Sequence, residues 1–195
     1  MKYDLPGDQG EVLPNLLGLT EQRAVDLAEA EGFLRAEMTL YDELHDGTTF
    51  DLDYVQRMHK LALGRLYAFA GKWRDVNLSK GGFNFPSVKF LDVTMRDFDQ
   101  HVLKNMPDIY ADRDALIRDI ALVHGELLFI HPFREGNGRT ARLLADMMAQ
   151  KQGHGKLHWE RIGRVRFDEY VQAVQQAALD NRQPMEAIIR SVFPS

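Results

Sequence analysis

The chain has no cysteine among its 195 residues. Disulfides, thiolate zinc sites and a cysteine nucleophile are therefore excluded, and a reducing compartment, the cytoplasm, is the expected location. Long apolar runs are missing too. No stretch approaches the ~20 residues that span a bilayer, and the best candidate, around 117–130, is broken by Asp119, His124, Gly125 and Glu126. No membrane association is expected. The N-terminus, Met1 to Asp8, lacks the apolar core of a signal peptide. Positive charge is not in excess: the net charge is −5. That disfavours a broad nucleic-acid face, so no nucleic-acid partner is expected, and any phosphate site must be a local cluster.

Strand signals are scarce as well. Val76, Leu78, Phe83 and Phe85 flank Ser79-Lys80-Gly81-Gly82, which predicts a single hairpin over about 76–85. The rest reads as helices. Thr20 is a candidate N-cap for a helix over about 21–44, with Val25, Ala28, Phe33, Ala36 and Leu40 as its buried face. Asp51 or Asp53 opens a second helix ending at Ala70-Gly71. Further helices are expected over about 91–104, 112–129, 139–152, 166–179 and 184–192. The fold class is all-α with one hairpin. Residues 1–19, rich in glycine and proline, form an arm. Residues 20–195 form a single domain, with a core over about 50–150 and C-terminal helices over 160–195.

The chemistry concentrates between His131 and Arg142. Pro132 moves His131 out of the α conformation, so the preceding helix should stop there. Gly136-Asn137-Gly138 permits positive φ and leaves backbone N–H groups uncovered at the start of the next helix, a ready anion site. Arg139 and Arg142, three apart, are neighbours on that helix. Cations in a first turn oppose the helix dipole, at about 0.3–1 kcal/mol each, and a bound polyphosphate reverses the sign. Glu135 is a natural Mg²⁺ ligand, because that ion takes one or two carboxylates plus phosphate oxygens. A base, a metal ligand, an anion nest and two guanidiniums within twelve residues suit phosphoryl-type transfer. Singly, each feature has a plainer explanation: a helix end, a turn, a solvated arginine.

At these residues the sequence resembles the Fic family, whose motif is His-x-Phe-x-(Asp/Glu)-Gly-Asn-Gly-Arg-x-x-Arg. His131, Phe133, Glu135, Gly136, Asn137, Gly138, Arg139 and Arg142 match it without exception. Tyr67 to Arg74 resembles the family's aromatic-Ala-Gly-Lys-x-Arg segment, and His124 sits where many members carry a histidine. The likeness covers about 21–150. It implies a Fic-fold helical bundle with a β-hairpin flap, and a protein adenylyltransferase that moves AMP from ATP to a Ser, Thr or Tyr hydroxyl of a target protein. It implies that His131 is the general base, that Phe133 plugs the loop into the core, and that Glu135 holds Mg²⁺. By the same likeness Gly136, Asn137 and Gly138 form the anion hole, with Arg139 on the β-phosphate and Arg142 on the γ-phosphate. The related Doc branch has Lys at the place of Gly138 and phosphorylates, so Gly138 favours adenylyl transfer. Lys80, Gly81, Gly82 and Phe83 belong to the flap that registers the target.

Many family members are inhibited by a helix with the pattern (Ser/Thr)-x-x-x-Glu-(Gly/Asn), whose Glu pairs with the second arginine. Here Glu31-Gly32 meets half of it, with Leu27 in place of Ser or Thr. Inhibition is expected either from Glu31 or from a separate small antitoxin, with the chain as the toxin of a toxin–antitoxin pair. The alternatives are a non-catalytic nucleotide-binding module, a transferase using another nucleotide or phosphodiester donor, and a de-AMPylase.

Overall fold

The computed structural model describes residues 12–80, 82–163, 166–177 and 179–194. Helix α1 (Gln22–Asp42) buries Val25, Glu29, Gly32, Ala36 and Leu40, a stripe at helical spacing. Four of the five are apolar or small. The fifth is a carboxylate on the core side, where Ala28 was expected. Thr20 does not cap the helix: Glu21 holds the N-cap position without a side-chain hydrogen bond. Gly32 has a packing reason. A Cβ there would lie 2.0 Å from the Ala62 carbonyl oxygen, so glycine lets α1 press on α2 (Leu52–Leu63).

Helix α2 begins where Asp51 accepts from the Tyr54 N–H at 2.8 Å. It ends at Leu63, well before the expected Gly71. The Leu66 N–H donates to the Leu63 carbonyl, an i→i−3 bond that tightens the chain beyond the helix, and the Tyr67 N–H shares the same acceptor as Tyr67 enters the core. Gly71 closes the following turns at φ 79°.

The hairpin has two short strands, β1 (Ser79–Lys80) and β2 (Phe83–Asn84), paired antiparallel with Ser79 opposite Asn84 and Lys80 opposite Phe83. Gly81, expected at its tip, lies outside the described residues, as do residues 1–11 of the expected arm. Next come α3 (Leu91–His101), α4 (Arg113–Ile130), α5 (Asn137–Lys151), α6 (Phe167–Ala177) and α7 (Gln183–Val192). Helix α4 is the central post, with α3, α5, α6 and α7 all packed against it. Its start is capped by Asp112, which accepts from Ala115 N–H at 2.7 Å. Among the described residues the fold is all-α with one hairpin, as read from the sequence, and no helix is long and apolar enough to cross a membrane. The connection between α4 and α5, residues 131–136, and the first turns of α5 carry the motif.

Candidate active site

The loop is held from below. Phe133 is fully buried and stacks on His59 with ring centroids 3.8 Å apart and planes 10° apart. Gly71 N–H donates to Nδ1 of His59 at 2.9 Å. That nitrogen is therefore an acceptor, and Nε2–H donates to the Glu135 carbonyl at 2.9 Å. Burial pushes the His59 pKa down to about 4, which keeps this neutral tautomer. Asn137 closes the loop on itself: its Oδ1 accepts from Phe133 N–H at 2.8 Å and its Nδ2 donates to the Phe133 carbonyl at 2.6 Å. The Asn137 side chain is thus committed to loop structure, and only its backbone is left to serve an anion. Gly136 has φ 80°, and a Cβ there would sit 2.8 Å from Leu63 Cδ1. Gly138, expected to share that permissive turn, is instead helical and has nothing within 4 Å of a built Cβ. Because α5 starts at Asn137, the N–H groups of its first turn lack intrahelical acceptors.

His131 is the C-cap of α4, in the left-handed region at φ 54° and ψ 57°. This costs about 1–2 kcal/mol for a non-glycine residue, and three contacts hold it. Its backbone N–H donates to the Leu127 carbonyl at 3.0 Å. Its Nδ1 lies 2.8 Å from the Leu128 carbonyl, and its ring stacks on Phe85 at 3.8 Å. A carbonyl can only accept, so Nδ1 carries the proton. The imidazole is 8% exposed, and burial, with help from Lys80 and Arg74, pushes its pKa down to about 4. A neutral ring with Nδ1 protonated has its lone pair on Nε2.

Glu135 is buried. Its Oε1 accepts from Gly136 N–H at 2.8 Å and lies 3.3 Å from Nη2 of Arg139. Its Oε2 is buried with no hydrogen-bond partner. A second carboxylate reaches the same arginine from α1: Glu29 Oε2 is 2.8 Å from Arg139 Nη2, while Glu29 Oε1 accepts from the Tyr67 hydroxyl at 2.7 Å. Glu31 does not take part. Its side chain is 73% exposed, and its ion pair is with Arg35 of its own helix at 3.7 Å. The reason is periodicity. The buried stripe of α1 includes residues 29 and 32, and residue 31 lies to one side of it.

Arg142 stands one turn further along α5. Its guanidinium carbon is 5.8 Å from the Trp159 ring centroid and 5.5 Å from that of Tyr170. No carboxylate pairs with it among the described residues. The two motif arginines are therefore in unlike settings, one between carboxylates and one between rings.

The flap is tied to this loop by Arg74. Its backbone N–H donates to the Pro132 carbonyl and its Nε to the His131 carbonyl, both at 2.8 Å. Its Nη1 and Nη2 donate to the carbonyls of Val76 and Pro86 at the two ends of the hairpin. Phe83 packs edge-on to Phe85 and Phe129, so it belongs to the flap's inner side. Lys80 is close enough to His131 to depress its pKa, and Gly82 is exposed at φ 79°.

Three residues that shape the site were not singled out from the sequence: His59, Glu29 and, within a quoted segment, Arg74. Glu29 carries a signal that was readable, an acid in phase with Val25, Ala36 and Leu40. His59 carries none without tertiary contacts.

A model of the Fic/DOC family matches residues 49–149. Among curated proteins, the chain is 29% identical over 179 residues to protein adenylyltransferase VbhT of Bartonella schoenbuchensis, covering 92% of this chain and 36% of that one. It is 26% identical over 192 residues to protein adenylyltransferase fic-1 of Caenorhabditis elegans, covering 88% and 35%. The chain thus spans about a third of the length of these relatives. Among solved structures, BepC of Bartonella tribocorum with bound AMPPNP superposes with a TM-score of 0.80 at 18% identity, over 96% of this chain and 94% of that one. The type IV secretion system effector BepA gives 0.75 at 21%, over 95% and 66%. The matched segment runs from before α2 to the end of α5, and so takes in the flap, the His131 loop and both arginines: the chain belongs to the Fic/DOC family.

Proposed function

We propose that this chain is a protein adenylyltransferase that moves AMP from ATP to a Ser, Thr or Tyr hydroxyl of a target protein. The observation that carries the reading is the His131 imidazole, fixed by Leu128 with its lone pair on Nε2 beside a helix N-terminus that favours phosphate. In the step, the target's hydroxyl oxygen forms a bond to the α-phosphorus while the bond from that phosphorus to the bridging α–β oxygen breaks. Nε2 of His131 takes the hydroxyl proton, and pyrophosphate leaves with the bonding pair. Arg139 and Arg142, with the first-turn N–H groups of α5, offset the charge on the phosphates. Gly138 has open space where the backbone can approach them. The curated relatives named adenylyltransferases and the AMPPNP bound by BepC support the choice of ATP.

Mg²⁺ is part of the proposal. Glu135 Oε2 is a buried carboxylate oxygen without a partner, an arrangement that suits a hard cation. Among the described residues no three acidic or histidine side chains are grouped so that they could hold a metal ion by themselves, so Glu135 would share the ion with phosphate oxygens and water. The ion would supply charge neutralisation at the phosphates. Lys80, Gly82 and Phe83 are proposed to present the target by strand addition at the flap. Arg142, unpaired with any described carboxylate, would accept one from a separate small antitoxin protein, and the cytoplasm is the proposed location.

With Mg²⁺ and α-labelled ATP, the protein labels itself or a target in lysate, and His131→Ala stops the labelling. If no nucleotide labels anything while ATP still protects the fold from heat, the chain is a binding module instead.

A further inference from the structure

Arg142 is held by a chain of contacts that begins on α4. Gly125 lets α6 lie close to α4, since a Cβ there would be 3.2 Å from Ala177 Cβ. That approach brings Tyr170 of α6 onto His124 of α4, with Tyr170 Oη 2.7 Å from Nε2. The other ring nitrogen, Nδ1, lies 3.1 Å from the Ala141 carbonyl. A carbonyl only accepts, so Nδ1 carries the proton. Burial pushes the His124 pKa down to about 3, so the ring is neutral and Nε2 must accept. The Tyr170 hydroxyl therefore donates to His124, and the Arg142 guanidinium carbon stands 5.5 Å from the Tyr170 ring centroid, close enough for its charge to act on the hydroxyl.

Trp159 completes the enclosure. Its indole N–H donates to Asp146 Oδ1 at 2.9 Å. Its ring stacks on His124, with centroids 5.1 Å apart, and lies against Arg142. The arginine is thus enclosed by two rings, one of which carries the oriented hydroxyl. Its Nε is buried and unpartnered.

We propose that Tyr170 and His124 are positioning residues for Arg142: the backbone carbonyl of Ala141 fixes the His124 tautomer, the tautomer fixes the Tyr170 hydroxyl, and the hydroxyl aims the guanidinium at a phosphate of the bound nucleotide. The inference rests on the reading of Arg142 as a phosphate ligand. A hydroxyl acceptor suits this task better than a carboxylate would. It directs the guanidinium without cancelling its charge, which stays available to the incoming anion. The neutral imidazole supports the same end, since a protonated His124 would donate to the hydroxyl and turn its proton toward the arginine.

The test is equilibrium binding of AMP, ADP and ATP with Mg²⁺ to wild-type protein, Tyr170→Phe, Arg142→Ala and the double variant. Tyr170→Phe keeps the ring and loses the hydroxyl. It should weaken the polyphosphate nucleotide that Arg142 reads by about three- to tenfold and leave AMP unchanged. In the Arg142→Ala background Tyr170→Phe should add nothing, because the two act through one contact. Equal losses for AMP, ADP and ATP, or losses that simply add to those of Arg142→Ala, overturn the inference while the reading of the site stands. Wild-type protein that binds none of the three overturns both. If Tyr170→Phe does not fold, His124→Leu carries the same test. It removes the acceptor that orients the hydroxyl and should give the same profile across the three nucleotides.

Discussion

Glu29 and Arg139 are 110 residues apart in sequence and 2.8 Å apart in the fold. The carboxylate is completely buried and the guanidinium is 31% exposed. One face of the acid holds the Tyr67 hydroxyl and the other holds the first arginine of the motif. The N-terminal helix is therefore wired into the site, through a residue two positions before the one the sequence pattern suggested.

Glu29→Ala should accordingly destabilise the protein by about 2–4 kcal/mol, since it strands a buried hydroxyl and half of an ion pair. In thermal unfolding that is a fall on the order of 5–10 °C for a chain of this size. Glu31→Gly, at an exposed position, should stay within about 0.5 kcal/mol of wild type and leave labelling by ATP unchanged. A Glu31→Gly variant that labels much faster than wild type would restore residue 31 as the inhibitory acid.

Three buried imidazoles make a pH prediction with a definite sign. His59, His124 and His131 have pKa values pushed down by burial to about 4, 3 and 4, from an ordinary 6.5. On unfolding below pH 6.5 each takes up a proton, so stability falls as the pH drops from 6.5 toward 4. Asp146 opposes them. Burial raises its pKa to about 7, so its protonated form favours the fold, and that contribution is lost as the pH rises through 7. Three protons taken up against one released leave a net uptake of about two, a slope approaching about 3 kcal/mol per pH unit. Urea titrations between pH 7 and pH 5 should show it. A flat profile would mean that these rings are not buried as neutral species. Labelling, in turn, should show no ionisation near 6.5, because His131 is already in its base form there.

Much of this was legible in the sequence, and what was not has identifiable causes. The motif from His131 to Arg142 is contiguous, so its order alone put the loop at a helix exit and the arginines on one helix face. The hairpin was legible from Lys80-Gly81-Gly82 between apolar pairs. The end of α2 was missed because the apolar period continues through Leu66 and Phe69, while the chain leaves the helix at Leu63 to bring Tyr67 to Glu29. In the sequence Arg74 stands only as the end of the Tyr67 to Arg74 segment, with no role of its own. Its charge is in fact satisfied by backbone carbonyls from the loop and both ends of the hairpin, partners that no local pattern encodes. The burial of α1 does not follow the Glu31-Gly32 pair, because its glycine serves the approach of α1 to the Ala62 carbonyl while the neighbouring acid is exposed.

Glu135 gives a metal-specific prediction. Its Oε1 is already engaged by Gly136 N–H, and only Oε2 is open to a cation. Glu135→Gln keeps the shape and loses the charge. ATP affinity measured in EDTA should therefore be similar in the two proteins, whereas added Mg²⁺ should tighten binding in wild type and do so at least about tenfold less in the variant. An equal response to Mg²⁺ would move the metal ligand elsewhere.

The two glycines of the loop separate folding from binding. Gly136 holds φ 80° and has Leu63 Cδ1 where a Cβ would go. Gly136→Ala must therefore strain the backbone and push on the core, costing at least about 1–2 kcal/mol. Gly138 is helical, with nothing within 4 Å of a built Cβ. In the empty protein, Gly138→Ala should even stabilise slightly, by up to about 1 kcal/mol, since alanine is the better helix former. Yet that Cβ would stand where the proposed phosphate approaches the first turn of α5. Gly138→Ala should thus melt at or above the wild-type temperature while binding ATP at least about tenfold more weakly, a combination that a purely structural glycine cannot produce. Unchanged ATP affinity in a well-folded Gly138→Ala protein would show that the nucleotide does not touch the helix at this point, and the proposed seat of the phosphates would have to move.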